Sequence, residues 1–321
     1  MKLRVGTRRS ALALTQTGQT METLAARVSG LSYEIVEVTT TGDRILDRPL
    51  REAGGKGLFI KELDEALLEG RIDCAVHSLK DVPSELAAGT IIAAVLQRED
   101  PRDVLVTRDG RELAELGDEV VLGTTSLRRA SQLLSMKPAA TTKLLRGNIE
   151  TRLRKLVEGD CDATFLAAAG LARLGLTLSP AHGVMLDPFV FVPAAGQGAV
   201  AITVREGDGA AAAAIREVDH AATSAAVEAE RAFARVFGGG CHLPLAAYAV
   251  VDGAQGEVRL VGVLLTADGK RIMRDEIRGP VAQAAALGTS LGRAFLERGG
   301  GEFLEAAEVS AGDGKSHGRD V

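Results

Sequence analysis

The sequence predicts an α/β protein of two lobes joined by a double hinge, followed by a small α+β domain. Three observations carry that prediction. Short apolar runs alternate with helical periodicity through the first half of the chain, the signature of parallel sheets flanked by helices. Two polar, proline-bearing stretches, Gln97-Arg98-Glu99-Asp100-Pro101 and Pro193-Ala-Ala-Gly-Gln-Gly-Ala199, interrupt the alternation, and Val200–Val204 beyond the second reads as one more strand. The chain therefore leaves its first lobe and returns to it. From Asp219 the order changes to a helix, three successive strands and a last helix.

The elements follow in order. Leu3–Val5, Glu34–Thr39, Ile72–Val76, Ile91–Leu96, Val104–Thr107, Glu119–Leu122 and Ala163–Leu166 read as strands, rich in β-branched residues and short. Helical periodicity covers 10–28, 58–69, 126–135 and 149–157. Beyond Asp219 a helix runs through Phe237, strands follow at 245–251, 257–265 and 270–278, and a helix closes at 281–297. The expected domains are 1–97 with 197–217, then 102–192, then 219–308. The stretch 309–321 is polar, glycine-containing and aperiodic, and is expected to be disordered.

Composition bounds the function. A chain of 321 residues with 46% hydrophobic and 25% charged residues can bury more than one core and is not fibrous. No apolar run reaches the roughly 18 residues that span a bilayer. The opening Met-Lys-Leu-Arg-Val-Gly reads as a strand and not as an export signal, and three irregularly spaced cysteines argue against a disulfide framework. The expected location is the cytoplasm. Net charge is −5, yet Val121–Val157 holds Arg128, Arg129, Lys137, Lys143, Arg146, Arg152, Arg154 and Lys155 against the single acid Glu150. Arginine concentrated in an acidic protein implies a small anionic ligand or a polyanion. Aromatic content of 3% with no tryptophan removes the stacking platforms of a nucleic-acid binder.

Chemistry concentrates at strand ends, where open α/β sheets bind ligands. The buried run at 72–76 ends in His77, Ser78, Lys80 and Asp81. Three strand-to-helix turns carry arginine: Gly6-Thr7-Arg8-Arg9-Ser10, Gly123-Thr124-Thr125-Ser126-Leu127-Arg128-Arg129, and Leu145-Arg146-Gly147-Asn148 with Arg152 beyond. Each aims helix amides, hydroxyls and guanidiniums at one place, and three together imply a ligand with several carboxylates. Gly54-Gly55-Lys56-Gly57-Leu58-Phe59 lacks the spacing of a nucleotide-binding loop and reads as a mobile helix entry in which Lys56 contacts an anion. Gly238-Gly239-Gly240-Cys241-His242 presents a thiol on a permissive backbone, as nucleophile, attachment point or, least of all, metal ligand, since no spaced partner pair exists. Cys74 and Cys161 read as packing residues.

These residues, with Thr41-Gly42-Asp43, His77-Ser78-Leu79-Lys80-Asp81-Val82-Pro83, Arg98-Glu99-Asp100-Pro101-Arg102-Asp103, Ala167-Ala168-Ala169-Gly170-Leu171, Gly196-Gln197-Gly198-Ala199 and Gly239-Gly240-Cys241, are similar to the porphobilinogen deaminase (hydroxymethylbilane synthase) family from Arg4 to about Glu305. The resemblance implies two lobes like type II periplasmic binding proteins and a third domain bearing the cysteine. It implies a cytoplasmic, monomeric transferase of tetrapyrrole biosynthesis that joins four porphobilinogen molecules head to tail, releases ammonia at each step and yields hydroxymethylbilane. It implies a dipyrromethane cofactor on Cys241 through a thioether, with no metal, and Asp81 as the catalytic acid that assists amine departure and stabilises the resulting cation. Each pyrrole brings an acetate and a propionate. The residues implied to bind them are Arg8, Ser10, Lys80, Thr124, Ser126, Arg128, Arg129, Arg146, Arg152, Arg173 and Gln197, with Lys56 and Phe59 in the active-site loop.

Two positions depart from the family: Glu52 stands where members carry lysine, and Glu150 where they carry a small residue, expected to point outward from its helix. The alternative function is a non-catalytic, two-lobed solute-binding protein for a polycarboxylate. Cys241 and Asp81 discriminate, because a receptor needs neither.

Overall fold

The computed structural model describes residues 1–44, 57–176, 178, 182–239 and 243–303. In lobe 1 the chain forms β1 (Lys2–Arg8), α1 (Ala11–Arg27), β2 (Ser32–Val38), α2 (Thr41–Arg44), α3 (Lys61–Leu68), β3 (Cys74–Ser78) and β4 (Thr90–Val95). It then crosses into lobe 2: β5 (Asp103–Thr107), β6 (Val121–Gly123), α4 (Leu127–Met136), β7 (Thr141–Lys143), α5 (Ile149–Val157), β8 (Ala163–Ala167), α6 (Ala168–Leu174) and β9 (His182–Met185). The return brings β10 (Val200–Arg205) and α7 (Gly209–Arg216). The third domain follows as α8 (Ala221–Val236), β11 (Leu245–Asp252), β12 (Glu257–Leu265), β13 (Ile272–Pro280) and α9 (Ala284–Phe295).

The two lobes share one design. Lobe 1 has strand order β2-β1-β3-β10-β4 and lobe 2 has β7-β6-β8-β5-β9. In each, three parallel strands are followed by an antiparallel one, β10 against β3 and β5 against β8. That antiparallel strand is in both cases the first to arrive from the other lobe. The double hinge expected from the proline-bearing stretches is thus a reciprocal exchange of strands.

Local sequence explains the helices. Ser10 caps α1 by accepting from the Ala13 amide at 3.3 Å, and the buried Gln16, Thr17, Thr20, Met21 and Leu24 fall on one face at helical spacing. Leu3, Val5, Met21, Leu24, Ile202 and Val204 share the core on that side of the lobe 1 sheet. The lobe 2 sheet is covered on both faces, by Val104, Leu156 and Leu166 on one and by Leu105, Leu133 and Phe165 on the other. In the third domain Phe233 packs edge-on against Phe237 and Phe295, with centroids 5.2 and 5.3 Å apart.

A buried ion pair ties the hinge to the third domain. Glu230 on α8, with no exposure, accepts from Arg98 Nη1 at 2.6 Å and from the amides of Gly196 and Ala249 at 2.6 and 2.7 Å. Arg98 Nε donates to the Gln197 carbonyl at 2.8 Å. Both hinge strands and β11 therefore meet on one carboxylate, and removing one partner of such a buried pair costs about 3–5 kcal/mol. Gly198 is required here: at φ +86° it lies so near the first crossing that a Cβ would stand 2.6 Å from the Glu99 carbonyl oxygen.

Candidate active site

The carboxyl ends of the lobe 1 strands build one wall. Arg8 ends β1, Ser78 ends β3, and Lys80 and Asp81 follow in a single tight turn. Arg8, Ser10, Phe59, Ser78 and Asp81 line a small solvent-open recess, and Lys80 does not line it. Asp81 is one-third exposed, its Oδ2 3.8 Å from Arg8 Nη1. Arg8 lies over the Phe59 ring at 4.1 Å and forms an ion pair with Asp43 of α2. His77, in the same polar cluster, is buried against Thr203 at 2.9 Å, and burial first, then the Arg8 charge, pushes its pKa down to about 4. It is a neutral packing residue.

The facing wall belongs to lobe 2. Ser126 caps α4 by accepting from the Arg129 amide at 3.4 Å, and Thr124 Oγ1 accepts from the Ser126 amide at 3.1 Å. Asn148 caps α5 through Thr151 at 2.8 Å. Arg152 donates to the Gly147 carbonyl at 2.9 Å, and burial, then the Arg129 and Arg146 guanidiniums, pushes its pKa down to about 10. Like charges held together in a buried place create a positive potential. That is the observation against which a polycarboxylate cofactor can be tested, and the residues fit one: four cationic side chains converge at the starts of α4 and α5. Glu150 is exposed, in the first turn of α5 where a negative charge suits the helix dipole.

Arg128 and Arg129 already hold a carboxylate. Asp103, fully buried at the start of β5, accepts from Arg128 Nη1 at 2.8 Å and from Arg129 Nη2 at 2.7 Å. Burial opposes its charge, and the two guanidiniums more than offset that, holding its carboxyl well below the usual range. Gln197 also reaches this acid, at 3.2 Å, and donates to the Pro101 carbonyl at 2.8 Å. At 1% exposure it is a cross-link within the hinge, beside the acid that orients Arg128 and Arg129.

Two cations join the walls. Arg173 of α6 donates to Gln16 of α1 at 3.2 Å and to the Gly198 carbonyl at 2.8 Å. Lys80 is half-buried, and burial first, then the Arg129 charge, pushes its pKa down to about 8. Its field is shared with Asp81 on its own lobe and with Asp103 and Arg128 on the other.

The third domain grips the chain just after Asp81. Arg231 of α8 donates to the Val82, Pro83 and Ser84 carbonyls at 3.0, 2.7 and 3.3 Å. Gly239 packs so closely that a Cβ would meet Ser84 Oγ at 1.6 Å, which explains the glycine at that position of the run. Cys241, Lys56 and Glu52 lie outside the described residues, as does the stretch 309–321. Sequence reasoning gave no role to Asp43, Asp103, Glu230 or Arg231. The first two stand inside quoted motifs, but their pairing with Arg8, Arg128 and Arg129 is long-range and left no local signal. Among the described residues no group of three His, Cys, Asp or Glu is placed to hold a metal ion, and no helix is long and apolar enough to cross a membrane.

Comparison with known proteins agrees along nearly the whole chain. Residues 3–213 match the family model of the porphobilinogen deaminase dipyrromethane cofactor-binding domain, and residues 224–297 match that of the porphobilinogen deaminase C-terminal domain. The chain is 47% identical over 308 residues to a porphobilinogen deaminase of Syntrophotalea carbinolica, covering 96% of each. It is 48% identical over 303 residues to one of Bordetella parapertussis, covering 94% of this chain and 95% of that one. To the corresponding protein of Brevibacillus brevis it is 44% identical, covering 96% and 97%.

Proposed function

The chain belongs to the porphobilinogen deaminase family, and from that premise we propose that Asp81 is its catalytic acid and Cys241 its cofactor attachment point. It is a hydroxymethylbilane synthase, a transferase that joins four porphobilinogen molecules head to tail with release of ammonia. A non-catalytic solute-binding protein is not favoured. The single observation that carries the site assignment is the opposition of the two walls: an open carboxylate, Asp81, on one lobe, and a partly buried cluster of guanidiniums on the other.

The bound dipyrromethane supplies the pyrrole carbon on which the chain grows. The protein's own residues do the rest. Arg8, Arg128, Arg129, Arg146, Arg152 and Arg173, with Lys80, take the acetate and propionate groups of incoming substrate and product, and Ser10, Thr124 and Ser126 add hydroxyls beside them. For Arg128 and Arg129 that role means sharing guanidiniums that Asp103 already orients, and Gln197 supports the same acid from the hinge. Phe59 flanks the recess, and Lys56 of the same loop is assigned as an anion contact. Asp81 hydrogen-bonds the departing amine of porphobilinogen, faces the cation left on the substrate's methylene carbon, and accepts the pyrrole proton released when the new carbon–carbon bond is complete. The working unit is a cytoplasmic monomer, with domain limits at 1–97 and 197–217, 102–192 and 219–308.

The test is the intact mass of the purified protein before and after porphobilinogen, with peptide mapping. A fixed excess of two pyrrole units on Cys241, rising in single-unit steps with substrate, is expected. The same excess on a Cys241→Ser variant would refute the attachment point.

A further inference from the structure

In the lobe 1 recess one guanidinium is divided unequally between two acids. Arg8 meets Asp43 edge-on: Nη2 donates to Oδ1, and Nε donates to Oδ2 at 3.3 Å. Its Nη1 stands 3.8 Å from Asp81 Oδ2, outside hydrogen-bond reach. The Phe59 ring, 4.1 Å from the guanidinium carbon, supports its face. Asp43 is itself held, because Thr40 Oγ1 donates to its Oδ2 at 2.7 Å. Arg8 is thus fixed from two directions, and neither is Asp81.

From this geometry we infer that Asp43 is a positioning residue that keeps Arg8 off Asp81, so that the Asp81 carboxylate stays open to the cation formed on substrate. The physical reason is competition. An arginine paired edge-on with a carboxylate stabilises its charge by a large margin, which makes that carboxylate a poor proton acceptor and neutralises the field it offers to another cation. Asp43 takes that pairing on itself. Arg8 remains close enough to receive a substrate carboxylate and within ion-pair range of Asp81, but without the hydrogen bonds that would occupy the Asp81 oxygens. The inference rests on the catalytic reading of Asp81.

Asp43→Asn keeps the shape and removes the charge, leaving Arg8 to turn toward Asp81. A full Arg–Asp pairing lowers an aspartate's pKa by about 1–3 units, so kcat should fall by roughly tenfold or more. The Michaelis constant should stay within about threefold, since Arg8 keeps its charge for the substrate carboxylate. The primer content read by intact mass should be normal, and Asp43→Glu, which can still pair with Arg8, should recover most of kcat. A purely structural role predicts instead lost primer or a raised Michaelis constant, with no recovery in the glutamate variant, and that result overturns the inference. So does a kcat for Asp43→Asn within about threefold of the parent. Should Asp43→Asn fail to fold, Thr40→Val loosens Asp43 without removing it, and a fall in kcat at constant Michaelis constant is again required. Asp81→Ala is measured alongside. If it retains turnover, the catalytic reading fails; if it is inactive while Asp43→Asn resembles the parent, only the positioning role fails.

Discussion

Lobe 1 and lobe 2 present the same three strand-end turns with different charge, mixed in the first and basic in the second. After β1, β2 and β3 come Arg8, then Asp43, then Lys80 with Asp81; after β6, β7 and β8 come Arg128 with Arg129, then Arg146 with Arg152, then Arg173. Two of the three sockets in lobe 1 hold an acid, and all three in lobe 2 hold arginine. A shared topology therefore fixes where side chains meet, and a few residues per turn decide whether that place performs proton chemistry or binds carboxylates. Lobe 2 has its own buried acid, Asp103, but brings it on the exchanged strand β5, where it orients arginines and is closed to solvent.

The comparison can be broken most directly at Asp81. Asp81→Ala should leave the fold intact and lower the rate of hydroxymethylbilane formation by about 10²–10⁴-fold; near-normal turnover would remove the chemistry from lobe 1. Asp103→Asn, the counterpart in lobe 2, should act on stability first. It strips a buried counter-charge from Arg128 and Arg129, so urea unfolding should show a loss of about 3–5 kcal/mol, and a loss under about 1 kcal/mol would mean that the two arginines do not depend on it.

Lys80 sharpens the boundary between the lobes. Its folded pKa is pushed down to about 8 from the ordinary 10.5, so the native ammonium loses its proton first. Between about pH 8 and pH 10.5 the unfolded chain binds more protons, and this group's contribution to stability rises with pH across that window. Its carboxylate-binding role runs the other way. The Michaelis constant should climb above about pH 8, and Lys80→Arg should flatten that climb, because a guanidinium keeps its proton; an identical climb in the variant would place its origin elsewhere. The smallest effect belongs to Glu150. Exposed on α5, it should be replaceable by glycine with substrate affinity unchanged to within about twofold, and a large gain in affinity would show that it does weaken the basic wall.

Much of this arrangement was legible in the sequence. Strands such as Ala163–Leu166 are buried on both faces and read as continuous apolar runs, while α5 carries its face at helical spacing. β7, Thr141–Lys143, escaped because it is a three-residue edge strand with every residue exposed, which leaves no hydrophobic pattern. β9 is short and at the other edge, and α6 and α7 are alanine-rich segments of one or two turns, too brief to show a face. The site divides in the same way. Arginines at helix starts are local signals, and the sequence displays them. What they touch is not local: Asp103 lies 25 residues before Arg128, Asp43 lies 35 after Arg8, and Arg231 lies 147 beyond Ser84. Nothing in periodicity or spacing reports such meetings. For the same reason the sequence places Gln197 beside the crossing without reporting its contacts to Pro101 and Asp103.

The exchanged strands also set a timetable for the newly made chain. Lobe 2 is contiguous, and all five of its strands have been synthesised by Met185. Lobe 1 begins first and finishes second, for β4 stands at its sheet edge beside β10 alone and must wait for Val200–Arg205. At about 5–20 residues per second that interval of roughly 100 residues lasts several seconds or more, during which β4 has no partner strand in its own sheet. A released chain ending just after residue 192 should therefore carry a protease-resistant second lobe behind an unfinished first one.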